Sequence, residues 1–281
     1  MDWQDTEGEF DGFLKIKSIF KDKSTIKIPI KHHKHARKIM DDGGSLMTSF
    51  LISNNFVNLR WQLPDVPKRE DGKKIGCDQG YKDVLTCSDT QVTPKTDNHG
   101  HSLESIIAKL SRKKKGTKAF KRAQTHRQNF INWSINQLDL TNIKEIGLER
   151  VWNIRYKTRS SRIMSHWTNT LIRDKVEQVC EDNGVRLSHQ SSTYRSQRCS
   201  GCGSVRKANR KGKVYTCKRC GLQMDADLNA SLNHEVDLPE IPYALRKLKL
   251  NRGDGFLWTP DGFFELLTGR SLESLLPQQS R

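Results

Sequence analysis

Two Cys-x-x-Cys pairs, Cys199/Cys202 and Cys217/Cys220, constrain this chain more than any other feature; fourteen residues separate them, and Gly203 and Gly221 follow directly. Knuckles of this spacing aim four thiolates at one point and close a tetrahedral site around one Zn²⁺. Every ligand is sulfur, so no coordination position stays open and the metal serves the fold, not the chemistry. A redox dithiol would need one pair in a thioredoxin-like setting. Here two pairs flank a basic stretch holding Lys207, Arg210, Lys211 and Lys213. The cysteines number seven, an odd count, with four in one cluster. That pattern belongs to a metal site in a reducing compartment, not to a secreted disulfide framework. Cys77, Cys87 and Cys180 stand apart and read as small buried side chains.

The rest of the chain falls around this module. Its 281 residues allow one or two domains, and a net charge of +17 makes nucleic acid the first partner to consider. No apolar run reaches membrane-spanning length and the start is acidic, so neither a membrane span nor export is expected and the location is cytoplasmic. Residues 1–11 carry five carboxylates and no Lys or Arg, whereas 12–62 holds the β-rich runs GFLKIKSIF, TIKIPI and SFLISNNFVNLRW. Residues 1–62 therefore read as a small antiparallel β domain and 63–73, with two prolines, as a linker. In 74–198, KKIGCDQG and DVLTCSD read as short strands and IKEIGLE as another. Leu103, Ile106, Ile107 and Leu110 follow helical spacing, as do Ile163, Trp167 and Leu171. Strands alternating with helices give an α/β core. It includes a helical hairpin at about 101–139, is interrupted by the cysteine module at 199–220 and resumes at 221–235. The tail, 236–281, places Phe256, Trp258, Phe263 and Phe264 around GDG and PDG turns and reads as a hairpin appendage.

Three acids stand out by position. Asp78 lies at the end of an apolar strand, Glu149 ends IKEIGLE, and Asp227 lies in MDADLNASLN, seven residues past Cys220. Any one alone reads as a turn residue or helix cap. Three that converge at one sheet edge would repel unless divalent cations neutralised them, and such a cluster serves phosphodiester hydrolysis with Mg²⁺ or Mn²⁺. Glu145 and Asp225 compete for the second and third places; Glu149 is preferred because it terminates the apolar run. Between the first and second acids, residues 109–130 hold nine Lys and Arg and no Asp or Glu: Lys109, Arg112, Lys113, Lys114, Lys115, Lys118, Lys121, Arg122 and Arg127. Without acids to offset this self-repulsion, a phosphate backbone is the natural partner, against the plainer reading of a solvated helix face. Phe120, Phe130 and Trp133 are assigned to the apolar side of the hairpin. KHHKHARK, with His32, His33 and His35, reads as a basic RNA-facing loop in preference to a metal site.

These residues together carry a resemblance. IGCDQGYKDVLTCSD, IGLER and YRSQRCSGCG…YTCKRCGLQMDADLNASLN resemble the three RuvC-type nuclease segments and interposed zinc ribbon of TnpB, the transposon-associated RNA-guided DNA endonuclease, an arrangement shared by compact type V CRISPR effectors. The resemblance covers roughly residues 12–235. It implies an RNase H-like (RuvC) nuclease core with an inserted zinc ribbon, preceded by a wedge-like β domain that grips guide RNA. It implies Asp78, Glu149 and Asp227 as catalytic metal ligands; beside them, Asp225 is read from the sequence as a candidate assistant, and Arg198 and Lys218, at the ribbon, as candidate grips on substrate phosphate. The expected activity is Mg²⁺-dependent (or Mn²⁺-dependent) DNA cleavage directed by a guide RNA, in a prokaryotic or phage-infected cell. Such proteins usually carry a further strand and a helical recognition lobe ahead of this region, whereas 77 residues precede Asp78. The expectation is therefore a chain without that lobe, acting as a homodimer or with a partner chain that supplies it. A guide-free structure-selective nuclease and a non-cleaving nucleic-acid-binding regulator are the alternatives.

Overall fold

Period-two alternation sets the first strands. The computed structural model describes residues 2–17, 24–53, 56–151, 166 and 169–275, and the chain divides into two units, Met1–Val66 and Pro67–Arg281. In the first unit, β1 (Asp2–Asp5), β2 (Gly12–Lys17) and β3 (Thr25–Ile30) form an antiparallel sheet in that order, with Leu14 fully buried. The segment expected as a basic loop is instead helix α1 (Lys34–Asp41). His33 caps it, its Nδ1 accepting from the Ala36 N–H at 3.1 Å, and Asp11 anchors its approach by accepting from the His32 N–H at 2.6 Å. His32 is buried, stacked on Trp3 and set edge-on to Trp61. His32 is thus used in packing and His33 in capping, while His35 is exposed and stacks on the His33 ring. Strands β4 (Ser45–Ile52) and β5 (Val57–Gln62) complete this unit as an antiparallel hairpin.

The second unit is mixed α/β. Its principal sheet runs β7-β6-β8-β9, formed by β6 (Lys73–Gln79), β7 (Leu85–Cys87), β8 (Ile143–Arg150) and β9 (Arg186–Ser191). β7 pairs antiparallel with β6, while β6, β8 and β9 are mutually parallel. Parallel neighbours need long crossovers. Helices α2 (Leu103–Ser111) and α3 (Lys118–Ile135) lie between β6 and β8 in the chain, and α4 (Asn169–Asp182) lies between β8 and β9. A strand's side chains alternate faces. Ile75 and Cys77 of β6 and Ile146 and Leu148 of β8 enter one core with Leu103, Ile106 and Ile107 of α2, Phe130 and Ile131 of α3, and Ile172 and Val176 of α4. Of the helical positions read from the sequence, Leu171 falls on α4, while Ile163 and Trp167 lie outside the described residues. Cys77, Cys87 and Cys180 are all buried here; Cys77 and Cys87 face each other across β6 and β7 with Sγ atoms 3.0 Å apart.

The opposite face of the sheet is opened by glycine. Gly76 and Gly147 are register partners on β6 and β8. A Cβ on Gly76 would lie 2.0 Å from the Ser231 carbonyl oxygen, and one on Gly147 would lie 2.2 Å from that of His234. Their missing side chains let helix α5 (Ala226–Glu235) rest its backbone directly on the sheet. Before α5 come the short strands β10 (Ser204–Val205), β11 (Arg210–Lys211), β12 (Val214–Thr216) and β13 (Gln223–Asp225). After α5, α6 (Tyr243–Leu248) leads to the hairpin β14 (Phe256–Thr259) and β15 (Gly262–Glu265). β14 pairs with β10, so the tail and the cysteine module share a sheet. Val205, Ile241, Leu245, Phe256, Trp258 and Phe263 form a second core. Among the described residues, no helix is long and apolar enough to cross a membrane.

Candidate active site

Asp78 and Glu149 meet because they repeat the glycine pattern two residues on. Each lies two positions past its glycine, on the face that α5 covers, and both sit at the C-terminal ends of parallel strands. Their carboxylates and the imidazole of His234 place one ligand atom each within 4.8 Å of one another. His234, from the last turn of α5, is buried, with Nε2 3.7 Å from Asp78 Oδ1. Burial holds its pKa below the usual value, although the nearby Asp78 carboxylate acts the other way. Burial, followed by the charge of Asp78, pushes Glu149 up to about 8. Two carboxylates this close cannot both ionise without a cation, and these oxygens form a hard-donor set that fits Mg²⁺ or Mn²⁺. Gln79 fixes the end of β8, donating from Nε2 to the Glu149 carbonyl at 2.9 Å. A cleft of about 380 Å³ lined by Gln79, Glu149, Arg150, Arg173 and His189 opens beside the pair.

Asp227 is placed differently from the other two acids. It lies in the first turn of α5, two helical turns before His234 and on the same face. It is largely buried, and its carboxylate is held by ion pairs from Arg210, at 2.9 Å, and Lys213. Lys213 also reaches Asp83 at 3.5 Å, and the Arg210 charge bears on Glu149 as well. The trio of nearest ligand atoms thus contains His234, which the sequence reading did not single out, and not Asp227. The available signal was spacing: seven residues after Asp227 is two full turns on one helix face. Asp225 is the N-cap of α5 and accepts from the N–H groups of Asp227 and Leu228 at 2.8 and 3.1 Å. Glu145 lies near the other end of β8, paired with Lys74 at 3.0 Å and accepting from the Ser188 hydroxyl.

The four cysteines converge. Cys199 and Cys220 bring their sulfurs to 3.6 Å, as do Cys202 and Cys217. A tetrahedron with bonds of about 2.3 Å has edges of about 3.8 Å, so this is metal-site geometry. Gly203 and Gly221 adopt φ of 73° and 76°, and their N–H groups return to the Cys199 and Cys217 carbonyls at 2.9 and 3.1 Å, closing each knuckle. Burial pushes the Cys199 thiol up to about 12, whereas the Leu222 N–H holds Cys220 down to about 7. Four thiolates at neutral pH therefore need a metal to stabilise them.

Two of the expected phosphate grips are elsewhere. Arg198 is buried, donating from Nε to the Trp258 carbonyl at 2.8 Å and from Nη1 to Asn233 Oδ1. Arg127 is buried on the inner face of α3 and donates to the His166 carbonyl. Lys109, Arg112, Lys114, Lys115, Lys118, Lys121 and Arg122 are exposed on or between α2 and α3, Lys113 is half-buried there, and Lys218 is exposed beside Cys217. Phe120 and Phe130 are buried, and Trp133 packs against the core.

Residues 171–234, from α4 through the cysteine module to α5, match the family described as Cas12f1-like, TNB domain. Over part of its length the chain is similar to Cas12f1 nucleases. It is 33% identical over 109 residues to the CRISPR-associated endodeoxyribonuclease Cas12f1 of Sulfoacidibacillus thermotolerans, a stretch covering 38% of this chain and 22% of that one. To the enzyme of the same name from Syntrophomonas palmitatica it is 32% identical over 65 residues, covering 23% and 13%. The matches thus span less than a quarter of either relative. The chain is also similar to a solved Cas12f1-sgRNA-target DNA complex, with 17% identity and a TM-score of 0.43 over 79% of this chain and 64% of that one. The resemblance to compact, TnpB-like type V effectors drawn from the nuclease segments is borne out.

Proposed function

We propose that this chain is a metal-dependent DNA endonuclease of the TnpB-like type, directed by a guide RNA, with an RNase H-like (RuvC) core and a structural zinc ribbon formed by Cys199, Cys202, Cys217 and Cys220. One observation carries the reading: Asp78 and Glu149 converge at the ends of parallel strands as a like-charged pair, with Glu149 pushed up to about 8, beneath the helix that leaves the cysteine module. Such a pair is costly for a fold and useful to a nuclease.

Asp78 and Glu149 would hold the magnesium, with Asp227 as the further carboxylate. When bound, the metal would neutralise the pair, activate a water and stabilise the leaving oxygen of a phosphodiester. His234 orients Asp78 from the protein side, and Gln79 keeps β8 in register so that Glu149 faces the same point. Arg210 and Lys213 neutralise Asp227, so a cation arriving there must displace at least one of them. The net charge of +17 and the exposed lysines and arginines between α2 and α3 support a polyanionic partner, and the names of the matched relatives support DNA as the substrate.

Cleavage of labelled DNA by the full chain, with the RNA that co-purifies with it, tests the reading. Asp78→Ala and Glu149→Ala should each abolish cleavage in Mg²⁺ or Mn²⁺ while leaving binding in place. Glu145→Ala should keep cleavage. Activity in Glu149→Ala together with loss in Glu145→Ala would overturn the assignment.

A further inference from the structure

A second group of metal-ligating side chains lies away from both the cysteines and the carboxylate pair. We propose that Asp97, His101 and His126 form a binding site for a zinc-class transition-metal dication, distinct from the cysteine site.

The argument starts from the loop. Asp97 Oδ1 accepts from the N–H groups of His99 and His101, each at 2.9 Å, and Gly100 makes the turn at φ 76° with its N–H returning to the Asp97 carbonyl at 3.0 Å. These bonds use one carboxylate oxygen and fix the other. Oδ2 faces the His101 ring, 3.2 Å from Nδ1. That spacing matches the edge of about 3.3 Å between two ligands of a tetrahedral zinc with bonds of about 2.0 Å. The third ligand comes from a different element. His126 on α3 meets the His101 ring edge-on at a centroid distance of 4.8 Å, and all three ligand atoms lie within 4.8 Å of one another. Metal binding would require the His126 imidazole to turn toward the other two ligands.

Two imidazoles and a carboxylate form a donor set of the zinc class. Three protein ligands leave a position for water, so the metal would exchange more readily than one enclosed by four cysteines. The site joins the residue before the α2 N-cap, Ser102, to the middle of α3. It would therefore fasten the loop to the helical hairpin that carries the basic turn.

Cobalt titration of the metal-stripped full chain carrying Asp78→Ala tests this, because the cluster of Asp78, Glu149 and His234 also offers a nitrogen donor and must be disabled if cobalt is to report on the other sites. Two equivalents should bind. One should give intense thiolate-to-cobalt charge transfer; the other should give only the weak ligand-field bands of nitrogen and oxygen ligands. His101→Asn and His126→Asn should each lose the second equivalent and keep the charge-transfer band, and Asp97→Asn should weaken the second equivalent at least about tenfold. Cys217→Ser should lose the charge transfer and retain the second equivalent, so failure of the zinc-ribbon reading would be seen separately. A single equivalent in the Asp78→Ala chain that only the cysteine substitution removes would overturn the proposal. So would a second equivalent that survives both histidine substitutions.

Discussion

Gly147, like its register partner Gly76, matters for its absent side chain, because the candidate site depends on how close α5 comes to the sheet. A methyl group there would lie 2.2 Å from the His234 carbonyl, a backbone atom with no rotamer to relieve the clash. Gly147→Ala should cost about 1–3 kcal/mol or more through overpacking and should shift His234 away from Asp78. Thermal denaturation and cleavage, measured together, check this: both should fall, whereas Glu145→Ala, which removes a partly exposed ion pair, should change stability by about 1 kcal/mol or less. At this scale the acids at the strand ends were legible because an apolar run followed by a carboxylate is visible in one dimension. The role of Gly76 and Gly147 was not, since it exists only once β6 and β8 are in register and a helix from much later in the chain rests on them. Arg127 was misread for a related reason. Counted as one charge in a basic run, it also belongs to the stripe Phe120, Ala123, Arg127, Phe130, Ser134, whose spacing marks the inner face of α3.

Between elements, the tail and the cysteine module form one structure through Arg198. Its guanidinium joins the turn before the first knuckle to the carbonyl of Trp258 on β14 and to Asn233 on α5, all buried. Arg198→Met would keep much of the packing volume but leave those acceptors without donors, at about 1–3 kcal/mol for each unsatisfied buried group. The expected outcome is a lower unfolding temperature and loss of the 256–265 hairpin's protection in hydrogen exchange, with little change in salt-dependent nucleic-acid affinity. A fall in affinity at unchanged stability would restore the role expected from the sequence, a grip on phosphate. The knuckles were legible because their chemistry is local: ligand, two spacers, ligand, glycine. The hairpin was legible for a similar reason, from its turn residues. The pairing of β14 with β10 was not, since both strands are short and nothing in their composition names a partner. Helix α1 was hidden behind its charge. KHARKIMD lacks an acidic first turn, and its start depends on a histidine cap held in place by Asp11 from β2's approach.

For the whole molecule, the question is where the excess of positive charge acts. Some of it is already committed: Arg210 and Lys213 to Asp227, Lys74 to Glu145 and Asp237, and Arg198 and Arg127 to buried carbonyls. Among the described residues, the basic turn between α2 and α3 has no such ion pair. Arg112, Lys114 and Lys115 are exposed, and Lys113 is half-buried beside them, within a segment that has no acid to pair with. If this turn contacts a nucleic-acid backbone, each lost contact should reduce the slope of log K against log salt by about 0.9 on duplex DNA or about 0.7 on single strands. Replacing Arg112, Lys113, Lys114 and Lys115 by Gln should therefore lower the slope by up to about 3.6 on duplex, weaken binding most at low salt, and leave the unfolding temperature nearly unchanged, because three of these side chains are exposed and Lys113 is only half-buried. The contrast with Arg127→Gln makes the measurement decisive. That substitution removes one positive charge, from a buried position, so it should lower stability and leave the salt slope alone. Equal slopes for the wild type and the quadruple variant would mean that the turn is a solvated face and that the polyanion is held elsewhere on the chain.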